Sequence, residues 1–281
     1  MSSRANAAPL ALERGGNGPP LLLVHGLGLS RRCWRPVRAL LEERHEVVAV
    51  DLPGFGESPP LYDGDTPTPN RLADILEHEI GRLGLVAPAA VGNSLGGWVA
   101  LELARRGCAS CAVAIAPSGL ETPPERMYVI GLNQLMRTRA RLSVPFGGTL
   151  TASPISRAVL FGGLRSRPWR VLPLAGERDL EEFGCSPGFQ PALRASVGTR
   201  VPEGLSEIRG PVCIAYGTLD LMLGALTAPR FAAAIPGAEL VPLPGLGHVP
   251  MLDDPQLVAG TILRFTSRLA HLTRDGAKGW R

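Results

Sequence analysis

Short uninterrupted apolar runs alternate along this chain with stretches in which apolar residues return every three or four positions. The runs are "LLLVHG" from Leu21, "EVVAVDLPG" from Glu46, "APAAVG" from Ala87, "CAVAIAPSG" from Cys111 and "GPVCIAYG" from Gly210. A run without polar alternation suits a strand covered on both faces, the usual state of a parallel sheet. Between the runs, Arg71 to Leu83 places Leu72, Ile75, Leu76, Ile80 and Leu83 on one helical face. Pro36 suits the first turn of a helix over Arg35 to Glu43. After Ser94, the residues Leu95, Val99 and Leu103 share a face, and Gly107 stops the helix behind Arg105 and Arg106. A helix near Ala228 to Ala234, a strand near Ala238 to Val241 and a helix from Pro255 close the pattern. It predicts an α/β fold, a mainly parallel sheet flanked by helices.

The pattern breaks between Glu121 and Leu205. Prolines, paired glycines and arginine clusters such as "RTRAR" and "RSRPWR" replace the alternation there. The expected organisation is therefore a core of residues 1–120 and 206–281, with an insertion over 121–205. The strand before Ser94 is alanine-rich and carries Pro88, so its β propensity is low and packing must hold it.

Charge and cysteines narrow the classes. The net charge of +4 is spread among acids rather than gathered into a basic run, and no nucleic-acid-binding motif occurs, so no nucleic-acid partner is expected. Five cysteines without framework spacing fit a reducing compartment. Cys108 and Cys111 form a lone C-x-x-C with no second ligand pair, which reads as structural rather than metal-binding. The opening "MSSRANAAPLALERGGNGPP" has no continuous apolar core and no apolar run approaches a membrane span, so the expectation is a cytoplasmic protein with no membrane partner.

The candidate chemistry centres on "AVGNSLGGWVALELA", residues 90–104. Gly92, Ser94 and Gly96 form G-x-S-x-G between a strand and a helix, the pattern of a strained turn that lifts a serine oxygen out of the backbone. A serine hydroxyl is a weak nucleophile until a base takes its proton and a third group orients the base. Asp220, in "GTLD", and His248, in "GLGHVPMLDDP", each follow a strand and supply both. Such positions, beyond the carboxyl ends of strands, are where open α/β sheets bind ligands.

With "HGLG", "DLPGFGES", "GNSLGG", "GTLD" and "GHVPMLDDP" in this order, the sequence resembles the α/β-hydrolase superfamily, and within it the serine carboxylesterases and lipases. The resemblance implies that Ser94 attacks, His248 shuttles the proton and Asp220 holds the imidazole. It implies an oxyanion hole from the backbone amides of Leu27 and Leu95, a loop shaped by His25, and a variable cap over 121–205. Substrate contacts are expected from His25, Asn93 and Val249, with Arg137 and Arg141 in the cap as candidates for an acidic acyl group. Asp51 reads as the fastening of its turn, and Asp253 and Asp254 as caps of the last helix. Epoxide hydrolases and haloalkane dehalogenases use aspartate where this elbow has serine, and carbon–carbon bond hydrolases usually have tryptophan where Val249 stands.

Cleavage of a small-molecule carboxylic ester is the leading expectation, with no metal or cofactor required. Thioester, lactone or carbon–carbon bond hydrolysis, acyl transfer and cyclisation use the same groups and stay open. So does a non-catalytic small-molecule binding protein.

Overall fold

The computed structural model describes residues 9–61, 65–198, 202–222 and 224–276. Residues 1–8, part of the opening stretch in which no leader is expected, lie outside the described residues, as do 199–201 near the end of the expected insertion.

The strands are β1 (Leu12–Gly15), β2 (Pro20–Val24), β3 (Glu46–Val50), β4 (Ala89–Asn93), β5 (Cys111–Ile115), β6 (Val212–Gly217) and β7 (Glu239–Leu243). They form one seven-stranded sheet in the order β1-β3-β2-β4-β5-β6-β7. Only β1 runs antiparallel, with Leu12 opposite Val50; every other pairing is parallel. The chain leaves β2 towards β3 on one side and returns to β4 on the other. The loops after β2 and β4 therefore part from each other, opening the crevice in which such sheets hold ligands.

Helices α1 (Arg35–Glu42), α2 (Pro69–Arg82), α3 (Leu95–Arg105), α9 (Gly224–Ala234) and α10 (Pro255–Gly276) cover the sheet. On one face Leu22, Val24, Val48 and Val50 pack with Leu72, Leu76 and Val99. On the other, Leu21, Leu23, Val47 and Val91 pack with Trp34, Leu41, Val258 and Ile262. Alternate residues of the inner strands β2 to β6 are thus buried on both faces of the sheet, which is why the runs lack polar alternation. The alanine-rich β4 is wholly buried between β2 and β5. Its small residues let α3 approach: a side chain at Gly92 would sit 2.0 Å from the Gly96 carbonyl oxygen.

Between β5 and β6 the chain is helical: α4 (Pro123–Ser143), α5 (Gly147–Ala152), α6 (Pro154–Phe161), α7 (Pro173–Cys185) and α8 (Phe189–Gly198). Pro123, Pro154 and Pro173, which disturb the sequence pattern, stand at first helical positions, where a missing N–H costs nothing. Thr122 and Glu125 close a capping box at the start of α4.

This helical segment lies across the carboxyl end of the sheet. Ser30 and Arg32, after β2, bind Glu182 at 2.7 Å each. Gly188 N–H donates to the Gly54 carbonyl, after β3, at 2.8 Å. Tyr128 donates to the Leu221 carbonyl, after β6, at 3.1 Å.

Candidate active site

Ser94 joins β4 to α3 with φ 55° and ψ −116°, a conformation that side-chain-bearing residues rarely adopt. Its neighbours enforce the strain. The Ser94 N–H donates to the Ile115 carbonyl at 2.9 Å, and its carbonyl accepts from Trp98 and Ser118. A side chain at Gly96 would meet the Val24 carbonyl oxygen at 2.3 Å, so the turn requires glycine there.

His248 and Asp220 come together. Nδ1 of His248 donates to Oδ2 of Asp220 at 2.8 Å, with the two side chains 4% and 0% exposed. Asp220 is fixed in turn by the amides of Met222, at 2.7 Å on Oδ1, and Gly224, at 3.0 Å on Oδ2. Because the carboxylate only accepts, Nδ1 carries the proton and the Nε2 lone pair is left for other work. Ser94 and His248 line one cavity, together with Gly26, Leu27, Asn93 and Leu95.

The amides of Leu27 and Leu95 donate to no protein acceptor among the described residues. His25 sets the direction of the first. It is fully buried and edge-on to Phe55, its Nδ1 donates to the Gly26 carbonyl at 2.8 Å, and its Nε2 accepts from the Leu52 N–H at 2.9 Å. Burial holds the imidazole below its ordinary pKa and so neutral. The Gly26 carbonyl and the Leu27 N–H share one planar trans peptide and point opposite ways. Fixing the carbonyl on His25 therefore turns the N–H the other way. His25 is absent from the cavity wall, so its place is behind the loop rather than against a substrate.

Asn93 lines the cavity and also ties the site together. Its Nδ2 donates to the His248 carbonyl at 2.9 Å and to the Ile115 carbonyl at 3.2 Å, while its buried Oδ1 has no partner among the described residues. Val249, 1% exposed, lines the cavity as well.

Arg137 and Arg141 do not line this cavity. The Arg137 guanidinium lies 4.4 Å from the centre of the Phe189 ring and donates to the Ser186 carbonyl. Burial lowers its pKa from the usual arginine value, with Arg141 adding repulsion. Arg141 is exposed. The apolar and cation–π surface offered by Phe189 thus draws Arg137 away from the serine.

Asp51 accepts from the amides of Arg31 and Glu57, which fastens its turn. Asp254 caps α10 through the Leu257 amide at 3.0 Å. Asp253 does not cap. Its Oδ2 accepts from the Ser166 amide, the Ser166 hydroxyl and the Gly247 amide, each at 2.9 Å. With the Val249 amide on the Leu164 carbonyl at 3.0 Å, these bonds stitch the helical segment to the loop that carries His248. Sequence reasoning misses this role because an aspartate before a helix already has a local explanation and its true partner is 87 residues away. Likewise Val129, Asn133, Leu193 and Ser196 enter the cavity wall from the segment whose pattern is least regular.

No group of three His, Cys, Asp or Glu side chains among the described residues is placed to hold a metal ion. Nor is any described helix long and apolar enough to cross a membrane.

A mainly parallel sheet with a strained serine at its switch point, beside a buried aspartate–histidine pair, defines a class of hydrolytic enzymes. The family model described as alpha/beta hydrolase family matches residues 21–261, and the chain belongs to that enzyme family. It is 28% identical over 262 residues to a pimeloyl-[acyl-carrier protein] methyl ester esterase of Aeromonas hydrophila, spanning 88% of this chain and 95% of that one. An epoxide hydrolase of Mycobacterium tuberculosis is 33% identical over 208 residues, 69% of this chain and 92% of its own. Among solved structures, a thermophilic esterase from Thermogutta terrifontis superposes with a TM-score of 0.74 at 25% identity, covering 92% of this chain and 93% of that one.

Proposed function

We propose that this enzyme hydrolyses a carboxylic ester of a small molecule through an acyl-enzyme on Ser94. The observation that carries the reading is the Asp220–His248 bond, 2.8 Å long, behind a wall in which His248 stands with Ser94, Leu27 and Leu95. Ser94 Oγ bonds to the acyl carbon as its proton passes to His248 Nε2, and the carbonyl electron pair moves onto the oxygen facing the Leu27 and Leu95 amides. Collapse of that oxyanion expels the alkoxide, which takes the proton from His248 and leaves as the alcohol. Water then repeats the sequence, releasing the acid and restoring Ser94. Loss of one oxyanion donor typically raises the barrier by ~3 kcal/mol, so the His25-held loop bears directly on rate.

The named activities of the two curated relatives differ, and serine chooses between them. Attack on an epoxide would leave an ether on Ser94, with no carbonyl for water to attack, whereas an acyl-enzyme keeps that carbonyl. The helical segment over 121–205 serves as a cap whose contribution to the cavity is uncharged: Val129, Asn133, Leu164, Leu193 and Ser196. A neutral ester fits this wall better than an acidic one.

Treatment with a small fluorophosphonate is expected to add one adduct per chain, seen by intact mass. A folded protein that takes up none would remove the catalytic reading and favour the binding-protein alternative.

Asp253 supplies a second test. Asp253→Ala loses the acceptor of three donors between the cap and the histidine loop, and kcat for p-nitrophenyl acetate is expected to fall by about 10- to 100-fold through misplacement of His248. Asp253→Asn keeps an oxygen acceptor and is expected to recover most of the loss. Equal kcat in the alanine variant and wild type would separate the cap contact from catalysis.

A further inference from the structure

A second cavity lies under the cap. Leu29, Leu164 and Val249 line both this cavity and the one containing Ser94, an apolar collar on which the two border. Each collar residue comes from a part that the candidate site already fixes. Leu29 follows the oxyanion loop, with its amide on the Gly26 carbonyl, and the Leu164 carbonyl accepts from Val249 beside His248. Beyond the collar the wall is apolar: Met136, Ala140, Leu160, Phe161, Leu180 and Phe183.

The exception is one ion pair. Arg165 and Asp179 line this cavity and bind each other through Nη2 and Oδ2. The Arg165 guanidinium also lies 5.9 Å from the centre of the Phe161 ring. Asp179 keeps 30% of its side-chain surface accessible, and the bond to Arg165 engages only one of its two oxygens. Burial pushes Asp179 up to about 6 even with Arg165 opposing it. A chain ending there in a methyl group would strip water from both charges and return no hydrogen bond. A carboxylate end would meet Arg165 already neutralised and Asp179 repelling it. A hydroxyl both donates and accepts, and so matches a free carboxylate oxygen beside guanidinium N–H groups.

We propose that the second cavity binds the far part of a linear aliphatic acyl chain whose end carries a hydroxyl, read by Asp179 and Arg165. The substrate class is then an ester of an omega-hydroxy fatty acid. This rests on the esterase reading and names its acyl group. The carbonyl stays at Ser94, the chain passes between Leu29, Leu164 and Val249, and each methylene buried beyond them contributes up to roughly fourfold in kcat/KM.

The test compares kcat/KM, by pH-stat, for methyl acetate, methyl octanoate, methyl omega-hydroxyoctanoate and monomethyl octanedioate. The expected order has the hydroxyl-ended ester about tenfold or more above the methyl-ended one, as one well-placed hydrogen bond allows, and the carboxyl-ended ester below both. In the double variant Arg165→Met with Asp179→Leu, that preference is expected to reverse while methyl acetate is hydrolysed as in wild type. In Ala140→Phe, which fills the chamber, both long neutral esters are expected to lose rate and the acetate to keep it. The proposal is overturned if the hydroxyl-ended ester is no better than methyl octanoate, if the carboxyl-ended ester leads, or if the double variant keeps the wild-type preference. Absence of all ester hydrolysis by wild type would overturn the esterase reading itself, an outcome distinct from hydrolysis of the acetate without chain-end preference.

Discussion

Replacing Ser94 with alanine is expected to lower kcat for p-nitrophenyl acetate by about 10^6-fold, the order seen when the nucleophile of such a site is removed. The size follows from what remains. The oxyanion amides, the cavity and His248 stay in place, but water must replace a serine oxygen held against the acyl carbon, and most of the advantage of fixed geometry goes with it. Alanine keeps the Cβ of serine, so the left-handed backbone at φ 55° is strained to the same degree and the fold should melt where wild type does. The same variant should take up no fluorophosphonate. Retention of more than about one per cent of kcat would mean that another group attacks the ester, and the role given to Ser94 would fall.

Ser94 is legible in the amino-acid sequence because its turn is local. A strand, a tight turn and a helix lie within one stretch of chain, and the glycines at 92 and 96 are there because backbone stands 2.0 and 2.3 Å from where their side chains would be. Strain of this kind leaves a trace in residue type. Asp220 and His248 are legible for a related reason, since each follows a strand, and the order of the sheet brings those strand ends together.

The parts that are not legible are held by long-range contacts between residues with ordinary local explanations. Asp253 looks like a helix cap and instead binds Ser166. Arg137 looks like a substrate-reading cation and instead lies over Phe189. The edge strand β1 is short and half exposed, with no apolar run to mark it. In the helical segment between β5 and β6, helix starts are written in prolines, as at Pro123, Pro154 and Pro173, which sequence texture alone confuses with breaks. The cavity wall from this segment is accordingly the part of the site that only the fold supplies.

The second large effect is expected at Asp220, where Asp220→Asn should cost about 10^4-fold in kcat with little change in KM. Among the described residues, Asp220 accepts hydrogen bonds from His248 Nδ1, Met222 N–H and Gly224 N–H. These amides hold the carboxylate on both oxygens, so asparagine cannot turn without setting its own NH2 group against a backbone donor. If the NH2 takes the place of Oδ2, it faces Nδ1 and Gly224 N–H; the imidazole then accepts at Nδ1 and carries its proton on Nε2, where it can no longer take one from Ser94. The positive charge that forms on His248 during attack also loses the carboxylate beside it. Binding of the ester uses neither term, which is why KM should hold. A loss confined to KM, or a kcat within tenfold of wild type, would assign the Asp220–His248 bond to stability rather than to the proton transfer.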